Sequence, residues 1–120
     1  METTQKQTFD AALEDFIAEV ERVTNKTHAG DSVRLYVTHI EASAGPKYTK
    51  LMRVETGPQG YKGSSYYGFI RNSDGAVLYA GGPKPFIGKS EATTVRGNIF
   101  DASTWERCIG PYGVLTLSRR

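Results

Sequence analysis

A chain of 120 residues is long enough for one domain with a single modest core. Its 38% hydrophobic and 23% charged residues are ordinary for a globular protein, with an apolar share low enough to point to self-association for part of the burial. No apolar run approaches the roughly 18 residues of a membrane helix, and the N-terminus is polar and acidic, so neither a membrane span nor a secretory signal is expected. The single Cys108 excludes an internal disulfide framework and fits a reducing cytoplasm.

The net charge of +2 is unevenly spread. Residues 1–30 carry three Lys/Arg against six Asp/Glu, and residues 31–120 carry twelve against seven. A surplus that small excludes a dedicated duplex-DNA binder, which needs a dense basic face. It suits a pocket that neutralises a few phosphates.

Thr8 is a candidate N-cap, with Asp10 in the first turn where the helix dipole favours an anion. Phe9, Leu13, Phe16, Val20 and Val23 follow at 4-3-4-3 spacing, widened by Ala12 and Ile17, and predict a helix over about 8–25. Glu14, Asp15, Glu19, Glu21 and Arg22 fall on the opposite face, and Asn25, Gly30 and Asp31 end the helix. Such a stripe lies on a sheet, and its heptad-like spacing also leaves room for a partner helix from a second subunit.

From Ser32 the period changes to two. Val33, Leu35, Val37 and His39 alternate with Arg34, Tyr36 and Thr38 in a half-buried strand that ends at Ala44-Gly45-Pro46. Residues 47–55 form the next, with Tyr48, Lys50, Met52 and Val54 on one face and Lys47, Thr49, Leu51, Arg53 and Glu55 on the other. Gly57-Pro58-Gln59-Gly60 turns the chain. Residues 64–71 are a third strand, with Tyr67 and Phe69 facing one way and Tyr66, Gly68 and Ile70 the other. Asn72-Ser73-Asp74-Gly75 is a hairpin turn into a fourth strand, 76–80. A Gly/Pro loop, 81–89, then presents Phe86 between Lys84 and Lys89. A short helix over 102–108, capped by Asp101 or Ser103, the rigid turn Gly110-Pro111-Tyr112-Gly113 and a short strand at 114–117 complete the chain. The expected fold class is α+β: an N-terminal helix on a mostly antiparallel sheet. The whole of 1–120 is one domain, with the sheet core at about 32–80 and a ligand loop and C-terminal turn at about 81–120.

Chemistry is not prominent. His28, His39 and Cys108 have no metal-ligand spacing, and Cys108 has Arg107 beside it but no histidine base. Gly88-Lys89-Ser90 ends like a phosphate-binding loop but lacks its first glycine and an obvious helix after it. The carboxylates after Asp31 are scattered and form no acid/base pair. No enzyme, metal or cofactor is therefore expected.

Residues 93–101 look like a binding site. Arg96 offers a planar five-donor fork for phosphate. Gly97 permits close backbone approach and positive φ. Asn98 has the donor and acceptor needed to read a base edge. Ile99 and Phe100 flank them, and the alternative is a simple turn into the segment after Asp101.

Lys47-Tyr48-Thr49-Lys50-Leu51-Met52-Arg53, Ser64-Ser65-Tyr66-Tyr67-Gly68-Phe69-Ile70, Asp74-Gly75-Ala76-Val77-Leu78-Tyr79-Ala80, Lys84-Pro85, Val95-Arg96-Gly97-Asn98-Ile99-Phe100-Asp101 and Gly110-Pro111-Tyr112-Gly113 follow in order. In that combination residues 33–117 resemble the first-described phage Thoeris anti-defence family, sponges for cyclic ADP-ribose signals. The resemblance implies a protein in the cytoplasm of the infected bacterium that holds the cyclic nucleotide of a TIR-domain enzyme without cleaving it. It also implies a homo-oligomer, a dimer or an assembly of dimers up to a hexamer, with pockets at subunit contacts, and in some relatives a separate site for cyclic oligonucleotides. In such a site Phe86 or Phe100 stacks on adenine, a contact worth about 1–3 kcal/mol per base. Asn98 pairs with the adenine edge, and Arg96 with Arg53 or Arg119 forks onto the pyrophosphate. Gly97 brings backbone N–H groups close, and Tyr112 joins the ligand contacts. Relatives often carry an aromatic-rich segment where this chain has Gly81-Gly82-Pro83-Lys84-Pro85-Phe86. The competing reading is a single-stranded nucleic-acid module that stacks bases on Tyr36, Tyr48, Tyr66 and Tyr67.

Overall fold

The computed structural model describes residues 8–27, 37–110 and 113–115. Helix α1 spans Phe9–Thr27. Its start is where Thr8 puts it, with Thr8 Oγ1 accepting from the Ala11 amide at 3.1 Å. Ala12, Phe16 and Val20 are fully buried, one turn apart, while Phe9, Leu13, Ile17 and Val23 are only partly covered. The stripe is therefore centred on the residues that spacing had placed at its margin and middle, with Leu13 and Ile17 left at its edge. Asn25 lies inside the helix rather than ending it. His28, Gly30 and Asp31, and strand residues 33–36, lie outside the described residues.

All strand pairings are antiparallel: β1 (Val37–Ala44), β2 (Tyr48–Thr56), β3 (Lys62–Arg71), β4 (Ala76–Gly81) and β5 (Lys84–Pro85) in sequence order, with β6 (Val95–Asn98) also on β4. The architecture is α+β, as the alternation of periods predicts. Two short helices, α2 (Glu91–Thr94) and α3 (Trp105–Cys108), flank β6. The second follows a 3₁₀ turn capped by Asp101, whose carboxylate accepts from the Ser103 amide. Of the expected last strand at 114–117, Val114 makes only an isolated bridge to Ile109, Leu115 is not in a strand, and the rest lies outside the described residues.

Strand β1 faces opposite to expectation. Val37 is exposed and Thr38 and Ile40 are buried. The cause is polar: Glu21 Oε2 accepts from the Ile40 amide at 2.8 Å, and the Asn25 amide bonds both Thr38 O (3.0 Å) and Thr38 N (3.2 Å). Glu21, expected on the solvent face, thus docks the strand edge on the helix.

The faces of β3 also differ from strict alternation. The register against β2 shifts by one residue, so Tyr67 is an extra residue between partners of Leu51 and Met52. Tyr67 therefore joins Leu51, Ile70 and Val77 under α1, and Phe69 joins Ala76 and Leu78 in a smaller cluster. Gly68 leaves the space that Val114 fills: a Cβ there would meet Val114 Cγ2 at 2.4 Å. Trp105 closes the main core edge-on to Phe16, with ring centroids 5.4 Å apart.

Candidate ligand site around Arg96

Strand β6 carries the second register shift. Val77 pairs with Gly97 and Leu78 with Val95, so Arg96 is the extra residue and is freed from the pleat. One turn of helix precedes it, closed by a capping box between Ser90 and Thr93. This turn follows Gly88-Lys89-Ser90, where sequence showed no helix.

Arg96 is 8% exposed. Its Nη1 donates to the Thr93 carbonyl, and the guanidinium lies over the Phe86 ring, 5.5 Å from the centroid. Phe86 is held in turn by Tyr79, with rings 6.4 Å apart and nearly perpendicular, and by a 2.8 Å bond from its amide to the Tyr79 carbonyl. Among the described residues, buried Arg96 Nε has no hydrogen-bond acceptor. No carboxylate among the described residues forms an ion pair with Arg96, and burial lowers its pKa from the ordinary arginine value. Arg71 is the contrast. It forks onto Asp74 at 3.0 and 2.8 Å and reaches Glu91 at 3.2 Å, and the Asp74 contact raises its pKa.

Arg53 faces the same side of the sheet as Leu51 and sits 3.7 Å from Glu55. Its positive charge is felt at Tyr67, although burial is the larger influence and pushes that phenol well above its usual pKa. The Tyr67 hydroxyl donates to the Gly110 carbonyl (2.7 Å) and accepts from its amide (3.2 Å), which ties Gly110 to the sheet. Tyr112 and Arg119 lie outside the described residues.

The other half of the 93–101 run is differently employed. Gly97 has no positive φ, and its missing side chain is filled by α3: a Cβ would stand 2.7 Å from Cys108 Sγ and 3.0 Å from Thr104 Oγ1. Asn98 builds a turn, its Nδ2 donating to the Asp74 carbonyl (2.9 Å) and its Oδ1 accepting from the Phe100 amide (2.8 Å). Phe100 is exposed, edge-on to Phe9 at 6.4 Å, and packs on the Cα of Gly75. Gly75 needs its glycine, with φ at +78° and that ring against it. Thus Arg96 and Phe86 come together, Arg53 shares their sheet near Tyr67, and Asn98 and Phe100 belong to the hairpin end.

Reasoning from sequence did not find Tyr79 as the brace of Phe86. The available signal was period two, which puts Tyr79 on the face of buried Val77. Cys108 is fully buried, and burial raises its pKa to about 11 against the weaker opposing effect of Arg107, so the thiol stays protonated. Among the described residues no helix is long and apolar enough to cross a membrane. Compared with known protein families, curated proteins and solved structures, the chain matches none.

Proposed function

We propose that this protein is a phage anti-defence sponge that sequesters cyclic ADP-ribose-type signals, glycocyclic ADP-ribose among them, made by bacterial TIR-domain Thoeris enzymes. It works in the host cytoplasm as a homo-oligomer and releases the ligand uncleaved. The observation that carries the reading is Arg96: a largely buried guanidinium, stacked on an aromatic ring, with a partnerless Nε and no carboxylate. Burying a cation without a counter-ion is costly, and a ligand phosphate supplies the missing charge and acceptor. The family resemblance gives the ligand its identity.

The mechanism is binding alone. Arg96 engages one phosphate, the Phe86 ring beneath it limits how the guanidinium can turn, and Arg53 is the second cation on the same sheet. Asn98 and Gly97 act as structural residues, so adenine recognition falls to other groups.

Calorimetric titration with cyclic ADP-ribose isomers, followed by chromatography of the heated mixture, tests this. Nanomolar binding near one ligand per chain and recovery of intact nucleotide are expected. An altered nucleotide, or binding only to oligonucleotides in a steeply salt-dependent way, overturns it.

A further inference from the structure

We infer that Tyr79 is the positioning residue of the Arg96 site: its ring holds Phe86 edge-on, and Phe86 holds the guanidinium in the plane from which it meets an anion. The inference rests on reading Arg96 as the anion-binding group, but the positioning itself can be measured without ligand.

The three side chains form a ladder from rigid to exposed. Tyr79 belongs to β4, packs against the main core and lies one pleat from fully buried Val77. Phe86 lies beyond the turn at Gly82, whose φ of +81° lets the chain reverse after β4. It is 38% exposed and is followed by Ile87 at 58%, so the core does little to orient its ring. What orients it is Tyr79, through the perpendicular ring contact and the bond from the Phe86 amide to the Tyr79 carbonyl. An aromatic edge on an aromatic face is a directional contact, because the ring's positive rim meets the negative face of the other.

Arg96 has few other restraints. Its hydrogen bond among the described residues goes to the Thr93 carbonyl, three residues back, and fixes one end of the guanidinium. The Phe86 ring, 5.5 Å from Cζ to its centroid, is the surface against which the other end can turn. A bidentate grip on phosphate depends on the guanidinium plane, since the parallel N–H groups must point at two oxygens together. A leucine at position 79 would fill most of the volume yet offer no ring rim, so the core would stay closed while Phe86 lost its brace.

The test is the Nε–Hε resonance of Arg96 in the ligand-free protein, assigned by its loss in Arg96→Lys. In the wild type it should be shifted upfield by the Phe86 ring current. Tyr79→Phe keeps both rings and should leave it unchanged. Tyr79→Leu should move it toward the free-arginine position and weaken binding of cyclic ADP-ribose about tenfold, with the amide spectrum of β1 and β2 preserved. Phe86→Leu, at an exposed position, should give the full displacement and confirm that the shift comes from the Phe86 ring; should Tyr79→Leu fold poorly, Tyr79→Met serves in its place. An unmoved resonance in folded Tyr79→Leu, while Phe86→Leu moves it, overturns the positioning role. A displaced resonance with unchanged nucleotide binding leaves the positioning standing and removes Arg96 from the ligand site, which refutes the functional reading instead.

Discussion

Residues 93–96 and 98–101 flank a single glycine, yet the two stretches solve opposite problems. On the C-terminal side every polar group of Asn98 is consumed locally. Its backbone amide donates to Thr104 Oγ1, its carbonyl accepts from Trp105 Nε1, and its side chain joins Asp74 to Phe100. On the N-terminal side Arg96 is buried with one carbonyl, one aromatic ring and, among the described residues, no counter-charge. A saturated network stabilises a turn. A cation desolvated without a counter-ion lowers stability, and on the proposed reading a ligand phosphate removes that cost.

The widest separation between the two stretches should come from Arg96→Ala. Loss of a charge-assisted bond to phosphate should weaken cyclic ADP-ribose binding on the order of 100-fold, while the thermal midpoint holds or rises. Calorimetry and a melting curve on the same sample read both. Gly97→Ala should do the reverse. Its Cβ would press on Cys108 and Thr104, costing about 2 kcal/mol of stability in a denaturant titration. Asn98→Ala should cost about 1 kcal/mol by the same measurement and leave the affinity of the folded protein intact. A loss of affinity there without loss of stability would return Asn98 to the ligand site.

The smallest effect is acidic. The Arg71 fork holds the Asp74 carboxyl below its usual pKa, outweighing the partial burial that opposes it. A carboxylate depressed in the folded state contributes stability at pH values above its unfolded pKa, about 3.9, and that contribution is lost as pH falls through the lower folded value. Asp74 is half-exposed, so solvent screening keeps this contribution under about 1 kcal/mol. Asp74→Asn should flatten the fall in stability below about pH 4, as followed by circular dichroism.

The sequence disclosed what is local and periodic. The Thr8 cap, the Phe16–Val20 stripe, the hairpin at Gly75 and the Asp101 cap all lie within a few residues of their partners. Strand faces were legible only where the ladder is regular. Alternation cannot register the extra residue at Tyr67, and it cannot foresee that Glu21 and Asn25 would reverse β1 by bonding its backbone from the helix. In the candidate site, Arg96 and Phe86 were singled out by type and lie together, whereas the contacts of Asn98 and Gly97 with Asp74, Thr104 and Cys108 reach them only through the fold. Tyr79 looked like one more strand residue because its partner lies across the turn at Gly82.

The most direct measurement is a crystal structure of the full chain with the cyclic ADP-ribose isomer that binds it most tightly. A ligand phosphate oxygen is expected within hydrogen-bond distance of Arg96 Nε, with the guanidinium still over the Phe86 ring and the Asn98 turn undisturbed. A ligand seated at the Asn98–Phe100 end, with Arg96 Nε still unpartnered, would contradict it.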